Sequence, residues 1–136
     1  MKSIDYTKAV IGGIVGTLLM TAVGLWGAPM MGIAPMNPAN MLAMAMGNNL
    51  VLGWMGHLMI GTILAIIYAF VQSYLPGSAP VRGALYALAP WLMAQIIVIP
   101  MMGMPVFSGS MAMAGGSLIG HLVYGVTVGL IYGETK

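Results

Sequence analysis

Long uninterrupted apolar runs alternate with short polar breaks along the chain, and neither the strand period of two nor an amphipathic helix period organises them. Four runs are long enough to matter: about 9–31, 50–74, 81–102 and 110–132. A helix of about 20 apolar residues covers the roughly 30 Å of a bilayer's hydrocarbon layer. A backbone in lipid must pair its own polar groups, so each run is predicted to be a helix. The fold class that follows is an all-α membrane protein with four transmembrane helices, forming a single domain over residues 1–136. Within the break at 32–49, Asn37-Pro38 reads as an N-cap followed by proline at the first helical position, and Gly47 reads as a stop. A short uncharged helix is therefore expected over 39–46, lying at the interface or capping the bundle.

Composition strengthens this picture. Of 136 residues, 60% are hydrophobic and 4% are charged, against about 25% charged in soluble domains. Four basic and two acidic side chains cannot cover a water-facing surface, so the lipid bilayer is the expected solvent. No basic patch exists to neutralise phosphates, which excludes nucleic acid as a partner. The absence of cysteine excludes disulfides and thiolate chemistry. The apolar run after Lys8 is too long for the core of a signal peptide. Lys2, Lys8, Arg82 and Lys136 all fall on one side of the four-span topology, so the positive-inside rule places both termini in the cytoplasm and loops 32–49 and 103–109 outside. Tyr6, Tyr74, Tyr132, Trp26 and Trp54 fall near span ends, where amphipathic rings prefer to sit.

The chain also resembles itself. Residues 56–68, GHLMIGTILAIIY, match residues 120–132, GHLVYGVTVGLIY, at six of thirteen positions. Pro29-Met30-Met31-Gly32 matches Pro100-Met101-Met102-Gly103, and Gly12 matches Gly83 in the same register. The expected unit is a two-helix hairpin used twice, over about 9–74 and 81–132. An even number of spans per unit makes the repeats parallel, related by an axis along the membrane normal.

The repeat brings His57 and His121 into one register. Steps of four along each helix give Gly53, His57, Gly61 and Ala65 on the second span, and Ser117, His121, Gly125 and Gly129 on the fourth. Small residues at that spacing commonly let helix backbones approach. They also leave a slot in which haem b, held by two axial histidines, could lie against Gly53, Gly61, Gly125 and Gly129. Sixteen methionines add a second chemistry. Met30, Met31, Met36, Met41, Met44, Met46, Met55, Met101, Met102, Met104, Met111 and Met113 fall in or near the outward loops and outer span ends. Thioethers select Cu(I), so Met101, Met102 and Met104 are candidates to pass Cu(I) to His57 and His121. Methionine is equally a flexible apolar filler. The third reading has no cofactor: an accessory subunit of a larger membrane complex, or a homo-oligomer, with the glycines serving helix contact.

Enzymatic chemistry finds little support. Asp5 and Glu134 are terminal, so no carboxylate lies within a span to relay protons. Ser108, Ser110 and Ser117 have no acid to orient a histidine beside them, and no phosphate-binding glycine loop is present. Pro90 is expected to kink the third span, with Gln95 either satisfying the freed carbonyl or pointing into the bundle.

The segments PMNPANMLAMAMG, GWMGHLMIGTILAIIYAF and MMGMPVFSGSMAMAGGSLIGHLVYG together resemble a family of small, methionine-rich, four-helix prokaryotic membrane proteins of unknown function. The resemblance covers nearly the whole chain. It implies the four-helix fold and a prokaryotic inner-membrane location, and it supplies no catalytic residues.

Overall fold

The computed structural model describes residues 3–134; Lys2 and Lys136, which entered the orientation argument, lie outside them. Five helices and no strand occur among the described residues: α1 (Tyr6–Met30), α2 (Pro38–Ala45), α3 (Leu50–Tyr74), α4 (Ala79–Met101) and α5 (Met111–Tyr132). α1, α3, α4 and α5 are long and apolar enough to cross a membrane. The element boundaries follow from capping. Asp5 accepts the Lys8 N–H at 3.0 Å and starts α1 at Tyr6, three residues before the hydropathy boundary. Asn37 accepts from Ala39 N at 3.0 Å, Asn49 from Leu52 N at 3.2 Å and Ser110 from Met113 N at 3.3 Å. The short helix α2 therefore begins at Pro38, as its Asn-Pro start predicts.

Glycine and alanine set how the helices pack. α1 lies against both α3 and α5, and α4 lies along α5, giving the spatial order α3, α1, α5, α4. A Cβ on Gly13 would stand 2.7 Å from the Thr62 Cα of α3, and one on Gly16 would stand 2.9 Å from the Tyr124 ring of α5. A Cβ on Gly83 would collide with the Gly125 carbonyl, and one on Gly129 with the Ala79 carbonyl. Those at Gly13, Gly83 and Gly129 are backbone-to-backbone approaches that larger residues would forbid. α3 and α4 have few contacts with each other, so a slit runs between them. Tyr86 Oη closes its lower part by donating to Leu64 O at 2.7 Å. α2 packs across the upper part of α3, where Gly53 admits the Ala39 carbonyl and Gly56 faces Leu42 and Met46.

α1 and α4 share an irregularity that hydropathy does not register. Each contains one wide π turn, Val23–Gly27 in α1 and Ala94–Val98 in α4, followed by a short α segment containing proline, Pro29 or Pro100. A proline ring crowds the carbonyl four residues back, and a widened turn relieves that crowding. Residues 79–93 remain α-helical around Pro90, and the wide turn comes later, ahead of Pro100. Both helices then end alike. Ile33 N donates to Ala28 O and Met104 N to Ile99 O, around Gly32 and Gly103 at φ +73° and +83°. Only glycine adopts that conformation at little cost.

At the end carrying both termini, Tyr68, Tyr86 and Tyr132 form an aromatic cluster, with ring centroids 5.4 Å (Tyr68–Tyr86) and 6.0 Å (Tyr68–Tyr132) apart. Glu134 joins this end by accepting from Ala79 N at 2.6 Å and pairing with Arg82 at 3.5 Å. Tyr132, the last residue of α5, is buried with its ring packed into the cluster. Tyr6, Tyr74 and Trp26 are exposed.

Candidate functional site

Two adjoining cavities occupy the half of the bundle beneath α2. The inner one, about 180 Å³, lies behind the slit between α3 and α4 and reaches both His57 and His121. The outer one, about 450 Å³, opens at the α2 end. His121, Gln95, Ser117, Met20, Met41 and Met102 line both.

The hydrogen bonds fix which nitrogen of each histidine carries the proton. Thr21 Oγ1 spends its own proton on Thr17 O, at 2.7 Å. It must therefore accept at its 2.9 Å contact with His57 Nε2, so Nε2 is protonated and Nδ1 carries the lone pair. His121 Nδ1 lies 2.8 Å from Ser117 O, which can only accept, so Nδ1 donates and the lone pair is on Nε2. Each neutral imidazole is thus anchored by one nitrogen and presents the other as a base. A histidine that ligates a metal is commonly held in this way, donating its second N–H to a carbonyl or hydroxyl.

Gln95 completes the polar set. It stands inside the π turn of α4, is fully buried, and donates Nε2 to Ser117 Oγ at 3.2 Å. Its Oε1 is buried and has no hydrogen-bond partner. Such orphaned acceptors are rare in folded proteins. Of the two roles expected for Gln95, it takes the second and points into the bundle.

Seven methionines from five segments converge on the outer cavity: Met20 of α1, Met36 of the following loop, Met41 and Met44 of α2, Met102 and Met104 of the loop after α4, and Met113 of α5. Met102 and Met104 of the expected trio belong to this group. Met101 does not: it is 82% exposed on the last turn of α4 and lines neither cavity, while the chain leaves the helix at Met102. Among the described residues no three His, Cys, Asp or Glu side chains gather in one place, so thioethers and imidazoles make up the available donor set.

The glycines placed with the histidines mostly serve helix contacts. Gly53 faces α2, while Gly125 and Gly129 face Gly83, Ala87 and Ala79 of α4. Gly61 lines the inner cavity, but the space where its Cβ would stand is taken by Thr17. Thr21, Met20, Met93 and Tyr124 were not foreseen at the site. Thr17 and Thr21, four apart in an otherwise apolar stretch of α1, were the available signal for a polar partner to a histidine.

The fold and this site define a small all-helical protein, compatible with a multi-pass membrane protein, in which two histidines, a glutamine and a serine line adjoining cavities in one half of the bundle. Residues 4–136 match the model of a family of unknown function, DUF6789, and the chain belongs to that family. No curated protein and no solved structure matches the chain.

Proposed function

We propose that this chain is a multi-pass protein of a prokaryotic inner membrane that binds Cu(I), taking the ion from the outer side through the methionine-lined cavity and holding it at His121 and His57. The observation that carries this reading is the convergence of seven thioethers from five segments on one cavity, with His121 in its wall. Methionines that merely fill apolar space have no reason to gather around an open vestibule; a soft monovalent ion gives one. The lone pairs on His121 Nε2 and His57 Nδ1 supply nitrogen ligands at its inner end, while Ser117 O and Thr21 Oγ1 hold the rings.

The positive-inside argument supports cytoplasmic termini and an outward vestibule. The matched π turns and helix ends of α1 and α4, at a constant offset of 71 positions, support the reading of two parallel-repeated hairpins. Haem b fits less well, because the glycine face that would receive a flat macrocycle is filled by α2, Thr17 and α4.

The test is metal titration of the detergent-purified chain, with Ag(I) as a redox-stable surrogate and with Cu(I) under anaerobic competition against a chelator. One ion per chain is expected. Replacing Met102, Met104 and Met113 together with leucine should weaken binding at least tenfold, and His121→Ala should weaken it further. No binding above that of the triple-leucine chain would overturn the reading, as would a Soret band in the purified protein that His57→Ala or His121→Ala removes.

A further inference from the structure

The inner cavity has features that a metal site does not need. Its lining is almost wholly carbon and sulfur, contributed by residues such as Leu42, Ile60, Leu64, Met93 and Val98. Ile60, Met93 and Val98, on the two helices that flank the slit, are also exposed on the outer surface of the bundle. In a bilayer that surface faces hydrocarbon, so what enters sideways must be lipid-soluble. The volume is about 180 Å³, and an engineered apolar cavity of roughly 150 Å³ in another protein stays dry and takes one benzene ring. A single substituted ring is therefore the right size. The four thioethers of Met20, Met41, Met93 and Met102 offer favourable contacts to its edge.

Gln95 lines the cavity, but packing closes its unpartnered Oε1 off from it; a turn of the terminal amide brings that oxygen to the occupant and gives it its polar group. A bare acyl chain would leave this buried acceptor unpaired, whereas a donor on the ring would satisfy it. Water alone would have to fill a space several times its own volume against carbon walls. We propose that the inner cavity binds one hydroxyl-bearing aromatic ring, a phenol or hydroquinone head delivered from the bilayer between α3 and α4, with its hydroxyl donating to Gln95 Oε1. This site does not depend on the metal reading, because Gln95→Leu removes the amide and leaves every thioether and imidazole in place.

Three probes test it: the isosteric pair p-cresol and p-xylene, and 4-methylanisole, one carbon larger and without a donor, titrated into the full chain in lipid nanodiscs with ¹³C-methyl methionine as the reporter. Concentrations are expressed per bilayer lipid, so that differences in partitioning cancel. The Met93 methyl signal should shift saturably, and p-cresol should half-saturate it at a concentration about tenfold below p-xylene, the ratio that one hydrogen bond to a buried acceptor gives. In Gln95→Leu the two should bind alike. Equal binding of p-cresol and p-xylene by the natural chain overturns the proposal even if the variant fails to fold. A preference that survives in Gln95→Leu also overturns it. So does 4-methylanisole binding as tightly as p-cresol, which would mean that the amide presents N–H rather than oxygen. An absence of any saturable shift would mean a closed or water-filled cavity and refutes it as well. Ag(I) binding by Gln95→Leu reports separately on the metal site.

Discussion

Replacing Gly125 with alanine adds one methyl group at the closest approach of α5 and α4. An ideal Cβ there collides with the Gly83 carbonyl and stands 2.6 Å from the Ala87 Cβ. Ordinary carbon contacts lie near 3.5–4.0 Å, so the helices must separate by roughly 1 Å. A gap of that size forfeits about a quarter to a half of each dispersion contact, and each contact is worth about 0.1–0.2 kcal/mol. Over some tens of atom pairs along this interface the loss is about 1–3 kcal/mol, in the range measured for overpacked cores. Helix propensity works the other way, since alanine gains about 1 kcal/mol over glycine within a helix. Gly115 lies on the same helix with nothing within 4 Å of its Cβ position, so Gly115→Ala takes the propensity gain alone. The expected order of stability is Gly115→Ala, then the natural chain, then Gly125→Ala. Unfolding in mixed detergent–SDS micelles, followed by far-UV circular dichroism, measures it. If Gly125→Ala unfolds no earlier than Gly115→Ala, the α4–α5 contact is not the tight backbone interface described, and the glycine face is free for another purpose.

Other outcomes follow from the same geometry. A reporter fused after Lys136 should be active only in the cytoplasm and one inserted at Asn48 only outside; the reverse pattern would invert the orientation and the vestibule with it. Thr21→Val removes the acceptor that holds His57 Nε2–H, which should destabilise the fold by about 1–3 kcal/mol and weaken Ag(I) binding about 10- to 100-fold, the usual effect of losing a ligand's anchor. Unchanged Ag(I) affinity in a folded Thr21→Val chain would remove His57 from the ligand set.

The four long helices were legible because hydropathy over 20 residues is insensitive to detail. The short helix was legible because Asn37, Pro38 and Gly47 are local signals with local causes. The starts of α1 and α4 were placed late, since Asp5 and Ser78 precede the continuous apolar run and hydropathy does not register a cap. The histidines were singled out by their rarity, but not their anchors: Thr21 reaches His57 across 36 positions of sequence. The glycines could be read as a slot or as an interface, because spacing along one helix does not say which neighbour lies opposite. The slit and its cavities arise from the order of the four helices, which no single segment encodes. Methionine number pointed to soft-metal chemistry, but only the packed chain separates Met102 and Met104, which line the vestibule, from Met101, which turns away.

The paired π turns carry a consequence for stoichiometry. Widening a helical turn releases a carbonyl: Ala28 N–H bonds to Val23 O, five residues back, and leaves Gly24 O free, as Ile99 N–H bonding to Ala94 O leaves Gln95 O. In α1 that opening is consumed by the chain itself, for Met36 N donates to Gly24 O at 2.9 Å and the Met36 backbone lies where a Cβ of residue 24 would be. The corresponding position in α4, 71 residues on, is Gln95, which lines both cavities. The loop that follows α1 thus plugs one of two like openings, whereas in α4 the matching position carries the Gln95 side chain instead. A chain whose two halves look alike presents one vacancy, so a ligand seated at Gln95 should saturate at one molecule per chain.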